Sequence, residues 1–220
     1  MQTLTTPPNP STKPRQYRVG QAHFMGHVFE VNEHVLIPRP ETEYLVERAL
    51  IHLKDKERPV VFDIGTGSGV IACSLQKMIP HSEIYASDIS VEALKVARIN
   101  NERLGTNVTF LQGHLLEPFT TPADLIIANL PYLNEEENQL EELLWEPKGA
   151  LYAKEHGFAL IRELLGSAYP LLSAQGVLLL EIHPPLVKPL NEYFSSHPTY
   201  SHYTIENDFN GWARYLTVNK

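Results

Sequence analysis

Phe62-Asp63-Ile64-Gly65-Thr66-Gly67-Ser68-Gly69 is the stretch on which the fold turns. The apolar run 60–64 that leads into it has strand length, and 69–78 behind it repeats apolar residues at helical spacing. Glycines between a strand and a helix let the backbone turn sharply and let a ligand lie against the main chain. Unpaired N–H groups at the helix start favour an anionic group such as a carboxylate. A nicotinamide fingerprint would space its glycines G-x-G-x-x-G, whereas this loop reads G-x-G-x-G with Asp63 two residues ahead. An acid there sits badly beside a pyrophosphate and suits a ligand that carries a sulfonium and an amino group. A glycine-rich connector with no ligand is the plain alternative. It loses ground because Asp88 closes the next strand, where a carboxylate can accept hydrogen bonds from two ribose hydroxyls.

On either side of this stretch, strand and helix patterns alternate. Strands are expected at 83–87, 108–111, 124–129 and 177–182, with a helix over 91–104 stopped by Gly105. A polar helix around 135–144 and another around 157–172 follow, and two strands near 200–205 and 215–218 close the chain. Upstream, Leu45, Val46, Ala49, Leu50 and Leu53 mark a helix over 41–53 with acids in its first turn. Residues 23–31 alternate around Gly26 as a small β-hairpin. Before that, a proline-rich polar segment up to Arg18 reads as a flexible lead-in. Such alternation implies an α/β fold: a mostly parallel sheet with helices on both faces. The last two strands have no room for a crossover helix between them and should be antiparallel. The division expected is a flexible segment 1–20, a hairpin and linking helix 21–58, and an α/β domain 59–220.

Bulk properties narrow the function classes. Of 220 residues, 43% are hydrophobic and 20% charged, ordinary for a globular protein. No apolar run approaches the roughly 20 residues a membrane-spanning helix needs. The N-terminus lacks the pattern of a signal or transit peptide, and the single cysteine, Cys73, excludes an internal disulfide. A cytoplasmic setting is expected. A net charge of -8 argues against bulk capture of duplex nucleic acid, although a local basic patch is compatible with it. His23, His27 and His34 lack acids at ligand spacing, so no metal site is expected. Glu135, Glu136 and Glu137, with Glu141 and Glu142, read as a solvated face or a contact for a basic partner. Cys73 reads as packing, and Ser68 has no His–Asp team.

The second chemical motif is Asn129-Leu130-Pro131-Tyr132, directly after the fourth strand. Open α/β sheets bind ligands at that carboxyl edge. A planar amide or amine nitrogen is a poor nucleophile because its lone pair is delocalised. The Asn129 side-chain oxygen and the Leu130 carbonyl can accept its two N–H bonds and aim the lone pair, and Tyr132 can stack on the planar group. Orientation and proximity then supply much of the rate. Alone, Asn-x-Pro-Tyr is more often a turn; its position beyond Gly65 and Asp88 favours chemistry.

At this point the chain resembles the N(5)-glutamine methyltransferases that modify peptide chain release factors, over residues 24–218. Phe24-Met25-Gly26-His27-Val28-Phe29-Glu30-Val31, then Leu36-Ile37-Pro38-Arg39-Pro40-Glu41-Thr42-Glu43, is similar to that family's hairpin and its LIPRPETE signature. Asp63 to Gly69, Glu146-Pro147 with Ala150-Leu151, Leu180-Glu181-Ile182 and Asp208, Gly211 and Arg214 also match. The resemblance implies a class I methyltransferase (Rossmann-like) fold with a seven-stranded sheet, preceded by the hairpin and ending in an antiparallel strand. It implies S-adenosylmethionine as cofactor and the glutamine of a release factor's GGQ motif as acceptor. Gly65, Thr66, Gly67, Ser68, Gly69, Asp88, His114, Leu115 and Asn129 would then hold the cofactor, and Asn129 to Tyr132 the glutamine amide. Arg39, Pro40, Glu41 and Thr42 would line the entrance, though Pro40-Glu41-Thr42 is also a good helix start.

Four departures stand out. Leu130 replaces the family's usual proline, and Asn-Leu-Pro-Tyr is similar to the motif of ribosomal RNA adenine dimethyltransferases. A nucleic-acid adenine methyltransferase is therefore the alternative. His114 stands where an acid is usual near the adenine, either as a hydrogen-bonding substitute or as a loop histidine that touches nothing. His183 and Leu186 replace a glycine and a glutamine. The family's helical N-terminal domain is expected to be reduced here to about twenty residues. A non-catalytic cofactor-binding scaffold is the third reading.

Overall fold

The computed structural model describes residues 10–134, 140–200 and 202–220. A short helix α1 (Arg15–Val19) leads into a hairpin of β1 (Gln21–Phe24) and β2 (His27–Glu30). Then come α2 (Pro40–Leu53), β3 (Val60–Ile64), α3 (Val70–Met78), β4 (Glu83–Asp88), α4 (Val91–Leu104), β5 (Thr109–Gln112) and β6 (Ala123–Asn129). The chain continues through α5 (Lys148–Leu151), α6 (Phe158–Leu171), β7 (Leu172–Glu181), α7 (Val187–Ser196), β8 (Tyr203–Asn207) and β9 (Ala213–Asn219).

The seven-stranded sheet has the order β5-β4-β3-β6-β7-β9-β8, with β5 through β7 parallel and β9 antiparallel to both its neighbours. The strand order reverses between β3 and β6, so a crevice opens beyond their carboxyl ends. Strand alternation divides the apolar side chains between two faces. Phe62, Ile64, Ile126, Ala128, Leu178 and Leu180 join α6 and α7 on one side. Val61, Leu125, Ile127, Val177 and Leu179 join α2 and α3 on the other. Phe24 and Phe29 belong to that second cluster, so the hairpin shares the core of the sheet. Asn100 of α4 fastens it further: its side chain accepts from Glu30 N at 2.6 Å and donates to Glu30 O at 3.0 Å.

Local chemistry sets the helix ends. Ser90 caps α4 by accepting from Ala93 N at 3.2 Å, and Gly105 ends it in the left-handed conformation. Pro40 opens α2 with Glu41 and Glu43 in its first turn.

Several expectations are corrected. The lead-in is not structureless up to Arg18: α1 forms because Tyr17 buries its ring and donates its hydroxyl to Val35 O at 2.5 Å. Of the polar helix expected at 135–144, residues 135–139 lie outside the described residues, and 141–145 form a 3-10 turn with Glu141 and Glu142 exposed. Leu172 begins β7 rather than ending α6. Helix α7 was not anticipated at all. No helix among the described residues is long and apolar enough to cross a membrane.

Candidate active site

A cavity of about 490 Å³ opens at the carboxyl rim, beyond the ends of β3, β4 and β6. The loop after β3 is pinned to β4 by Gly65 N and Thr66 N, which both donate to Ser87 O, at 2.8 and 2.9 Å. Asp88, the last residue of β4, accepts from Gly67 N at 2.9 Å and from Ser90 N at 2.8 Å. Its carboxylate thus holds two loops in place while forming part of the cavity wall. Burial raises the pKa of Asp88, and the backbone N–H donors pull it back.

Gly65, Thr66, Gly67, Ser68, Asp88, His114, Leu115 and Asn129 all border this cavity. Gly69 does not. It caps α3 where that helix crosses α4, and an added Cβ would lie 3.2 Å from the Ala97 Cβ. Asp63 also lies off the cavity, fully buried: one oxygen accepts from the Thr66 hydroxyl at 2.6 Å and from Ala72 N at 3.2 Å. It therefore shapes the loop from beneath rather than facing a cationic ligand across open space. Burial pushes its pKa up to about 7.

His114 is not a histidine that touches nothing. Its Nε2 lies 2.8 Å from the Glu163 carboxylate on α6, so an acid reaches this end of the cavity through the histidine. Apolar Ile89 and Leu115 stand nearby on the same wall.

The run after β6 is held from two sides. Leu133 N donates to Leu151 O at 2.9 Å, and Ala153 N to Leu133 O at 3.0 Å. Gly157 allows α6 to start against the motif, since a Cβ there would lie 2.5 Å from Pro131 O. Asn129, Leu130 and Pro131 border the cavity. Tyr132 is not among the bordering residues. Its ring runs parallel to that of His183, with centroids 5.5 Å apart, and its hydroxyl donates to Glu181 at 3.0 Å. Burial raises its pKa, with the neighbouring Glu181 charge adding to the effect.

Of the entrance residues, Arg39 and Thr42 border the cavity. Pro40 faces an adjoining hollow that also contains Arg39, and the Glu41 carbonyl accepts from the Tyr215 hydroxyl at 2.9 Å. Arg39 pairs with Glu146, whose other oxygen accepts from Ile37 N at 3.0 Å. Glu146 is 5% exposed and locks the wall formed by Pro147, Gly149 and Ala150 onto the segment before α2. Glu146 and Glu181 had matched the family pattern in sequence without any role being read for them. Their acidity in otherwise apolar surroundings was the available signal. Among the described residues, no group of three or more His, Cys, Asp or Glu could hold a metal ion.

The donor set fits S-adenosylmethionine. Asp88 offers a carboxylate at the end of β4, the N-cap Gly69 leaves the N–H groups ahead of Ala72 at the start of α3 without a side-chain cap, and Ile89 and Leu115 give apolar walls. A sheet of this order with these two loops at its rim defines a class I methyltransferase. The family model described as "Methyltransferase small domain" matches residues 43–154. Over 202 residues the chain is 43% identical to the release factor glutamine methyltransferase of Enterococcus faecalis, covering 90% of this chain and 73% of that relative. The enzyme of the same name from Streptococcus pneumoniae is 38% identical, with 94% and 75% covered. The chain belongs to the release factor glutamine methyltransferase family. Solved structures agree on the fold: a Pyrococcus furiosus methyltransferase has a TM-score of 0.63 at 21% identity, covering 89% of this chain and 90% of that one. A Thermus thermophilus 16S rRNA N2 G1207 methyltransferase, in complex with AdoMet and guanosine, has a TM-score of 0.67 at 18% identity, covering 91% and 49%.

Proposed function

We propose that this chain methylates the side-chain amide nitrogen of the GGQ glutamine in a peptide chain release factor, using S-adenosylmethionine, in the cytoplasm where translation terminates. The observation that carries this reading is the position of Asn129. It borders the same cavity as Gly65 and Asp88, and its Nδ2 donates to Thr42 Oγ1 at 3.0 Å. That bond turns the amide's carbonyl end away from Thr42.

When bound, S-adenosylmethionine supplies an electrophilic methyl group on a sulfonium. Asp88 would accept from its ribose, the N–H groups opening α3 would meet its carboxylate, and His114 with Leu115 would flank its base. Asn129 Oδ1 and the Leu130 carbonyl would accept the two N–H bonds of the glutamine amide. The amide lone pair, perpendicular to the amide plane, would then be free to face the methyl donor, and orientation would supply much of the rate. Arg39 and Thr42 would border the path of the acceptor.

A ribosomal RNA or DNA adenine acceptor, drawn from Leu130, is not favoured: relatives 43% and 38% identical, over 90% and 94% of this chain, are named for glutamine. Nor is a non-catalytic scaffold. Incubation with labelled cofactor, a release factor and total nucleic acid in one reaction separates the three. Label in the release factor is expected. Label in RNA or DNA alone, or cofactor binding with no transfer, would overturn the assignment.

A further inference from the structure

Glu181 ends β7 and lies beside Asn129 in the β6–β7 pairing. It is 2% exposed and does not border the cavity. Its Oε2 accepts from the Thr42 hydroxyl at 2.8 Å and its Oε1 from the Tyr132 hydroxyl at 3.0 Å. Burial raises its pKa, while those two hydroxyls and the Arg214 guanidinium pull it back toward the carboxylate.

A carboxylate accepts and has no proton to give. Thr42 has one hydroxyl hydrogen, and it is donated to Glu181. The Thr42 oxygen can then only accept from Asn129, which donates Nδ2 to it. The Asn129 amide is thereby fixed end for end, NH₂ toward Thr42 and carbonyl the other way. An amide acceptor arrives with N–H donors, so it must meet that carbonyl. Were Thr42 free to reverse its hydroxyl, Asn129 could turn over and set N–H against N–H.

We propose that Glu181 is a positioning residue that fixes, through Thr42, which end of the Asn129 amide faces the acceptor. This rests on the reading of Asn129 as the group that receives the acceptor's N–H bonds.

The test measures kcat, acceptor KM and cofactor Kd for E181M, E181Q, T42V and the E181M/T42V double variant, with a release factor as acceptor. E181M and T42V should each lower kcat at least about 30-fold, the scale of one lost oriented contact in a dry site. Cofactor Kd should stay within about threefold, since neither change touches Asp88 or the α3 start. The double variant should be no worse than the poorer single one, because both break the same relay. E181Q should recover most of the loss, as a glutamine can turn its carbonyl to Thr42 and its NH₂ to Tyr132. Undiminished kcat in E181M, multiplied losses in the double variant, or an E181Q as impaired as E181M would overturn the proposal. If E181M does not fold, T42V against T42S decides: serine keeps the relay and should keep turnover, and equal loss in both rejects it. A wild type inactive on the glutamine overturns the parent reading as well, whereas an active wild type with an undiminished E181M overturns this inference alone.

Discussion

The Gly67 amide donates to Asp88 Oδ2 at 2.9 Å, joining the loop after β3 to the end of β4 across 21 residues of chain. Asp88 Oδ1 meanwhile accepts from Ser90 N at 2.8 Å, immediately before the cap of α4. One side chain therefore ties two loops together while forming part of the cavity wall.

Replacing Asp88 with alanine should cost about 1–3 kcal/mol of stability, as two backbone donors lose their partner. It should also weaken S-adenosylmethionine binding at least about tenfold, the value of one charge-assisted hydrogen bond. Urea unfolding and titration calorimetry check the two effects separately. Cofactor affinity equal to wild type would remove Asp88 from the binding site.

Glu146→Ala should cost about 1–3 kcal/mol, because it leaves the Ile37 N–H without its acceptor and removes the Arg39 ion pair, while Arg39 keeps Ile37 O. Glu146→Gln keeps an acceptor and should cost about half as much. Denaturant midpoints for the two variants provide the check, and equal losses would show that the charge alone matters.

What could be read ahead of the structure followed from how local the cause was. The strands and helices from Val60 to Leu104 rest on apolar spacing, Ser90 and Gly105, all of which act within a turn or two. No element was expected over 187–196, the span of α7, and Pro184, Pro185 and Pro189 around its start break the apolar spacing of a helix. Yet Pro189 sits in the first turn of that helix, where a proline costs little. Helix α1 depends on Tyr17 reaching Val35, a contact no local pattern encodes. The same holds in the site. Gly65, Asp88 and Asn129 announced themselves as loop and strand-end residues. The Thr42–Glu181 bond spans 139 residues and the Ile37–Glu146 bond 109, so neither partner could be paired from sequence.

Asp63 gives a pH dependence with a definite sign. In the unfolded chain it loses its proton near the ordinary 3.8, whereas burial pushes the folded value up to about 7. Between about pH 4 and 7 the fold holds a proton that the unfolded chain has released, so this group's contribution falls as pH rises. Below and above that window it is flat. The loss is at most about 4 kcal/mol. Asp63→Asn should remove this slope, seen as a wild-type-minus-variant stability difference that shrinks from pH 5 to pH 8. A difference independent of pH would contradict it.

Cys73 is fully buried, and burial pushes its thiol up to about 12. An aromatic disulfide reagent at pH 8 should find no reactive thiol in the native protein and one per chain after unfolding. Native reaction at the rate of a free thiol would contradict this packing role.

If Asn129 serves the acceptor while the neighbouring loops hold the cofactor, Asn129→Ala should separate transfer from cofactor binding. Calorimetry and single-turnover transfer to a release factor are measured on the same preparation. S-adenosylmethionine affinity should stay within about threefold of wild type, and transfer should fall at least about 100-fold, the scale of a lost transition-state contact. Transfer at the wild-type rate, or affinity lost in step with transfer, would contradict the account.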